Sequence, residues 1–165
     1  RLMRIATWNT ITAGQIVKFR YKSEKAEKSY NRTVIVLDPF YKYLKKSTNR
    51  RIDLLVGLEI DNDIAAALPP MKLKNLFKIL GKERVEGEIA AMSETQVLQN
   101  IYQDLQQFLK GSPIFKTYLL RKCRKYRVFV EDKVEDLNKL QAATIANQLM
   151  NKDGVVVPVE IGVGN

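Results

Sequence analysis

The chain has 165 residues, 45% of them hydrophobic, and carries a formal net charge of +10 from 28 Lys and Arg against 18 Asp and Glu. That length suits one ordinary domain, with enough apolar residues to bury a core without disulfide or metal staples. Histidine is absent and no Walker-type or dinucleotide glycine loop occurs, which excludes histidine-based acid–base, nucleophilic and metal chemistry and argues against nucleotide hydrolysis and dinucleotide redox reactions.

In chain order, the segment QIVKFRYK after Gly14 alternates, with Val17, Phe19 and Tyr21 on one side and Lys18, Arg20 and Lys22 on the other. This predicts a half-buried strand with a cationic outer face. Beyond the polar stretch 23–31, RTVIVLDP is a β-branched run stopped by Asp38 and Pro39, the pattern of a central strand covered on both faces. The two are expected to pair as a hairpin. RRIDLLVGLEID places Ile52, Leu54, Val56, Leu58 and Ile60 on one side of a third strand, with Gly57 marking a bulge or a close backbone approach.

Leu68-Pro69-Pro70 opens a short helix carrying Leu73, Leu76, Phe77 and Leu80 and stopped by Gly81. Ser93 and Gln96 form a capping box for a longer helix whose apolar residues, from Leu98 to Leu109, recur at three and four positions until Gly111. Ser112-Pro113 opens another, with Phe115, Leu119 and Cys123 on one face, running into the basic stretch 121–127. Val128-Phe129-Val130 reads as a short returning strand, and Leu137, Leu140, Ile145 and Leu149 as a last helix ending at Asp153-Gly154. The tail VVVPVEIGVGN contains Pro158 and suits an edge strand or an arm that adds to a neighbour's sheet. Together these predict a single α+β domain over 1–165. Its fold class is a small curved antiparallel sheet or barrel in the N-terminal third followed by a helical C-terminal part, with 155–165 as an extended arm.

Cys123 is the only cysteine, so an intrachain disulfide and a cysteine zinc site are excluded and a reducing or redox-indifferent compartment is expected. The sequence has neither the apolar run of a membrane helix nor the block of a signal peptide. The chain opens with Arg1 rather than Met, which fits a processed or partial product.

The positive signal is basic. KTYLLRKCRKYR holds Lys116, Arg121, Lys122, Arg124, Lys125 and Arg127 without an acidic residue, interleaved with Tyr118 and Tyr126. Phosphate contacts need only cation density and reach, while the tyrosines can either stack on bases or anchor the element in the core. Lys18, Arg20 and Lys22, with Lys42, Lys45, Lys46, Arg50 and Arg51 around the second turn, form a second basic area. The two areas merge into one polyanion surface if sheet and basic helix face the same way. The acidic cluster Glu59, Asp61 and Asp63 has an alternation that can hold a divalent cation, as in nucleases, or that simply ends a strand and caps a helix. No catalytic residue, metal ligand or cofactor is assigned.

The ordered set GQIVKFRYK, YNRTVIVLDPFYK, LLVGLEID and LPPMKLKNLFKIL resembles a pattern found in virion-associated proteins of tailed bacteriophages, some of them known as DNA end protectors. The resemblance covers about the first half of the chain, from Gly14 to Leu80. Glu59 stands where the pattern has asparagine, DNDIAAA is inserted before Leu68, and the second half carries no matching motif. The resemblance implies a non-enzymatic protein of the particle, made in the host cytoplasm, at the neck, tail, baseplate or packaged DNA end. Its implied partners are DNA and other virion proteins in a multi-copy assembly, with no small-molecule substrate and no membrane span. Three readings compete. The first is a virion-associated DNA-binding protein, and the second a structural subunit docking on acidic neighbours through its basic surface and C-terminal arm. The third is a metal-dependent nuclease using Glu59, Asp61 and Asp63, and what remains is an unrelated RNA-binding or ribosome-associated protein.

Overall fold

A computed structural model describes residues 3–45, 47–67, 72–80, 93, 96 and 114–152. Among them are six strands: β1 (Met3–Ile5), β2 (Gln15–Tyr21), β3 (Tyr30–Lys45), β4 (Arg50–Ile60), β5 (Phe115–Leu119) and β6 (Arg124–Lys133). The helices are α1 (Asn62–Ala67), α2 (Leu73–Leu80) and α3 (Lys139–Lys152), with single 3-10 turns at Trp8–Thr10 and Leu120–Lys122. The strands form one open antiparallel sheet in the order β1-β6-β2-β3-β4-β5.

This corrects the expected fold class. The sheet is not confined to the N-terminal third, because both of its flanks are completed by residues 115–133, where a helix was expected to begin at Ser112-Pro113. Phe115, Leu119 and Cys123 are spaced by four, and four is a near-multiple of the helical repeat and an even multiple of the strand repeat. The spacing is therefore compatible with either. Pairing decides: the free edge of β4 takes β5, with Leu55 opposite Tyr118, and the free edge of β2 takes β6, with Val17 opposite Val128. The returning strand expected at 128–130 is the middle of the longer β6.

Strand β3 also outruns its expected end. Val34, Ile35, Val36 and Leu37 are buried on both faces, as the apolar run predicts, but the strand continues past Pro39 to Lys45. Register shifts on either side of Asp38 accommodate the proline, which has no N–H to give a regular ladder. The Asp38 carboxylate accepts the Phe40 N–H at 2.9 Å.

Alternation along the strands makes two cores, one on each face. Ile16, Ile35, Leu37, Val56 and Leu58 face α2 and α3, which contribute Leu73, Leu76, Ile145 and Leu149. On the opposite face Val17, Phe19, Tyr21, Val34, Val36 and Leu55 meet Tyr118, Cys123 and Tyr126. Phe19 of β2 lies edge-on to Tyr118 of β5 at 5.0 Å, although β3 and β4 intervene in the sheet, and Leu119 N–H donates to the Tyr21 hydroxyl at 3.1 Å. The sheet is thus curled over its aromatic face. Edge-on aromatic pairs of this kind contribute about 0.5–1.5 kcal/mol each beyond area burial.

Gly57 sits opposite Val36 where β4 lies close against β3. A Cβ there would stand 2.3 Å from Val34 Cγ1 and 2.6 Å from the Ile35 carbonyl oxygen, so the close approach read from the sequence is real. The helix caps are local and legible. Ser93 and Gln96 exchange the reciprocal hydrogen bonds of a capping box, although the body of that helix lies outside the described residues. Asn138 and Gln141 do the same at the start of α3. Of the residues expected on the buried face of the last helix, Leu137, just ahead of α3, and Ile145 and Leu149 within it are buried, whereas Leu140 is 78% exposed. The Pro69-Pro70 start and Gly81 stop of α2 lie outside the described residues, as does the 155–165 arm. No helix among the described residues is long and apolar enough to cross a membrane.

Candidate nucleic-acid interface

The pairing of β2 with β6 sets cation against cation. Lys18 stands opposite Arg127 and Arg20 opposite Arg124. Between these pairs β2 advances two residues while β6 advances three, and the extra residue, Lys125, takes a left-handed φ of 55°. A non-glycine residue held there costs energy. The bulge places three cations of β6 against two of β2. Lys22 and Lys122 extend the strip, lining one groove of about 340 Å³ with Arg20, Arg124 and Lys125. A second groove, of about 200 Å³, is lined by Lys18, Arg20, Asn31, Lys125 and Arg127.

Like charges directly opposite one another in a sheet destabilise it, typically by a few tenths to about 1 kcal/mol per pair. Little within the described residues offsets this. Their two ion pairs, Arg32–Glu59 and Arg51–Asp53, involve none of the strip's cations. Arg20 donates to the Ser29 carbonyl at 3.1 Å, Arg124 to the Cys123 carbonyl at 3.1 Å, and Lys122 Nζ lies 5.7 Å from the Tyr21 ring centroid. These contacts orient three of the side chains, and among the described residues none pairs with a carboxylate.

The two basic areas of the sequence do meet, but through strand pairing and the 120–122 turn. Lys18, Arg20 and Lys22 join β6. Arg50 and Arg51, at the far end of the β3–β4 hairpin, join Arg121 and Arg124 around a third groove of about 790 Å³. Arg124 borders both parts. Arg51 is held by Asp53 at 3.0 Å, with both side chains about a third exposed. Lys45 stands opposite Arg50 in the β3–β4 register, and Lys46 lies outside the described residues. Lys116 is not part of the strip: on β5 it lines a separate groove with Tyr43, Ile52 and Met150.

Two aromatic side chains that sequence reasoning did not single out, Trp8 and Phe40, line the 790 Å³ groove. Their ring centroids are 4.9 Å apart. Trp8 is the only tryptophan of the chain, which was the one signal available. Tyr118 and Tyr126, by contrast, are 3% and 7% exposed and belong to the aromatic core. Of their two expected roles they take the anchor. Burial, reinforced for Tyr118 by the hydrogen bond it donates to Glu59, keeps both hydroxyls protonated well above the usual phenol range.

Two of the three residues of the acidic cluster are engaged in structural contacts. Glu59 accepts from the Tyr118 hydroxyl and from Arg32, the latter at 3.4 Å. Asp61 accepts the Ile64 N–H at 2.8 Å at the start of α1, the helix-capping alternative. Among the described residues no three His, Cys, Asp or Glu side chains are grouped so as to hold a metal ion. Cys123 lies buried beside the third groove, and burial, partly offset by Tyr126 and Arg124, pushes its thiol up to about 11. Such a thiol is protonated at neutral pH and a poor nucleophile.

Comparison with protein-family models, with curated proteins and with solved structures finds no match.

Proposed function

We propose that this protein binds nucleic acid without catalysing a reaction on it, using the β2–β6 strip to take the phosphate backbone. In the setting implied by the phage resemblance, the ligand is the packaged DNA of the particle. One observation carries the reading: the opposition of Lys18 to Arg127 and of Arg20 to Arg124 across a paired ladder, with Lys125 bulged between them. Counterion release rewards a protein that meets phosphates with such a row, and the repulsion within the row falls when the anion arrives.

The test is the double variant Lys18→Gln/Arg127→Gln, measured by fluorescence anisotropy on a labelled DNA duplex. Two lost phosphate contacts should weaken binding and make the slope of log affinity against log salt shallower by about 1.8, at about 0.9 per contact. Unchanged affinity and unchanged slope in the folded variant would remove the strip from nucleic-acid binding. Retained docking of the native protein on an acidic protein, with no DNA binding at any salt, would favour the structural-subunit reading.

A further inference from the structure

The geometry points to the groove beside Trp8 and Phe40 as a stacking subsite for an unpaired base, which adds single-stranded nucleic acid to the ligands of the strip. This rests on the nucleic-acid reading above and adds a ligand class to it. Trp8 is 45% exposed, on a 3-10 turn that presents it to solvent. Its ring sits 4.9 Å from Phe40 with the planes tilted by 34°. The Phe40 ring is in turn flanked by cations, with Lys42 Nζ at 5.2 Å and Arg51 Cζ at 6.0 Å from its centroid.

An exposed indole backed by a second ring is a platform on which a base can stack. The groove in front of it, about 790 Å³, lies within the size range of small-molecule pockets and is ample for a nucleotide. Arg50, Arg121 and Arg124 line the same groove, placing guanidinium groups where the phosphates flanking a stacked base would run. Glu24 and Asp53 also line it. Asp53 is engaged by Arg51 at 3.0 Å, so Glu24 is the carboxylate a phosphate must avoid. Arg124 belongs to both the groove and the β2–β6 strip, so a strand laid along the strip is led to the indole. In a duplex each base already stacks on its neighbours and its faces are closed to Trp8. An unpaired base is free to use it.

The sole tryptophan is its own probe. Titration of the full chain with a dT oligomer of about 12 nucleotides, within the site sizes of single-strand binders, should quench Trp8 emission saturably. A duplex of the same length should bind with little quenching. Trp8→Ala should weaken oligomer binding by roughly 5- to 160-fold, the cost of losing one stacked base, and leave duplex affinity unchanged. Trp8→Phe, which keeps a ring, should retain most of the affinity. Oligomer binding without quenching, or an equal effect of Trp8→Ala on oligomer and duplex, would overturn the subsite. If Lys18→Gln/Arg127→Gln still weakened binding in that case, the backbone-binding strip would stand without it. Binding of neither oligomer nor duplex would overturn both.

Discussion

Asp38 is an acid placed for its shape. Burial raises its pKa above the ordinary carboxylate value of 3.8, partly offset by the Phe40 N–H, Lys139 and Lys42. A carboxyl whose folded pKa is raised stabilises the fold fully below its unfolded pKa, and that contribution is lost as pH rises through the folded value. Its oxygen closes the bulge by accepting the Phe40 N–H. Asn keeps that acceptor and has no charge to desolvate. Asp38→Asn should therefore raise the thermal midpoint at pH 7, and the gain should shrink as pH falls toward 3.8 and vanish below it. A difference between the two proteins that does not change with pH, followed by circular dichroism melts from pH 3 to 8, would show that ionisation of Asp38 carries no cost.

At the scale of elements, β2 and β6 are held by their apolar face and strained by their polar one. Val17, Phe19 and Tyr126 are buried on one side of the ladder while Lys18 faces Arg127 on the other. Removing that charge opposition should stabilise the free protein even as it weakens the proposed DNA binding. Lys18→Gln/Arg127→Gln is expected to gain a few tenths to about 1 kcal/mol in urea denaturation at low salt, with the gain fading as salt screens the wild-type repulsion. A loss of stability would mean that these side chains serve the fold.

The elements also mark how far the sequence could be read. Strands β2 and β4 and the buried run of β3 were legible because alternation and β-branching are local, and so were the Ser93 box and the buried Ile145 and Leu149 of α3, though not the exposure of Leu140. Strand β5 and the full extent of β6 were not, only the middle of β6 at 128–130 being read as a strand. Their identity depends on which sheet edges stand open, a fact set by residues more than fifty positions away, and the spacing of Phe115, Leu119 and Cys123 fits either period. The members of the site were legible as cations, but their arrangement was not. Lys18 and Arg127 become neighbours only through the β2–β6 register, Lys116 leaves the group because β5 takes the opposite flank, and Trp8 reaches Phe40 across the fold.

For the whole molecule, a net charge of +10 sets a general attraction to polyanions, and the fold concentrates part of that charge into one strip continuous with one groove. The proposed engagement of phosphates by this strip is read from the salt dependence of binding to DNA. If Lys18, Arg20, Arg124 and Arg127 each neutralise a phosphate, log affinity for duplex DNA should fall linearly against log salt with a slope of about −3.6 or steeper. Absence of binding at low salt, or an affinity unmoved between 50 and 200 mM salt, conditions chosen where about four contacts change affinity by orders of magnitude, would contradict it.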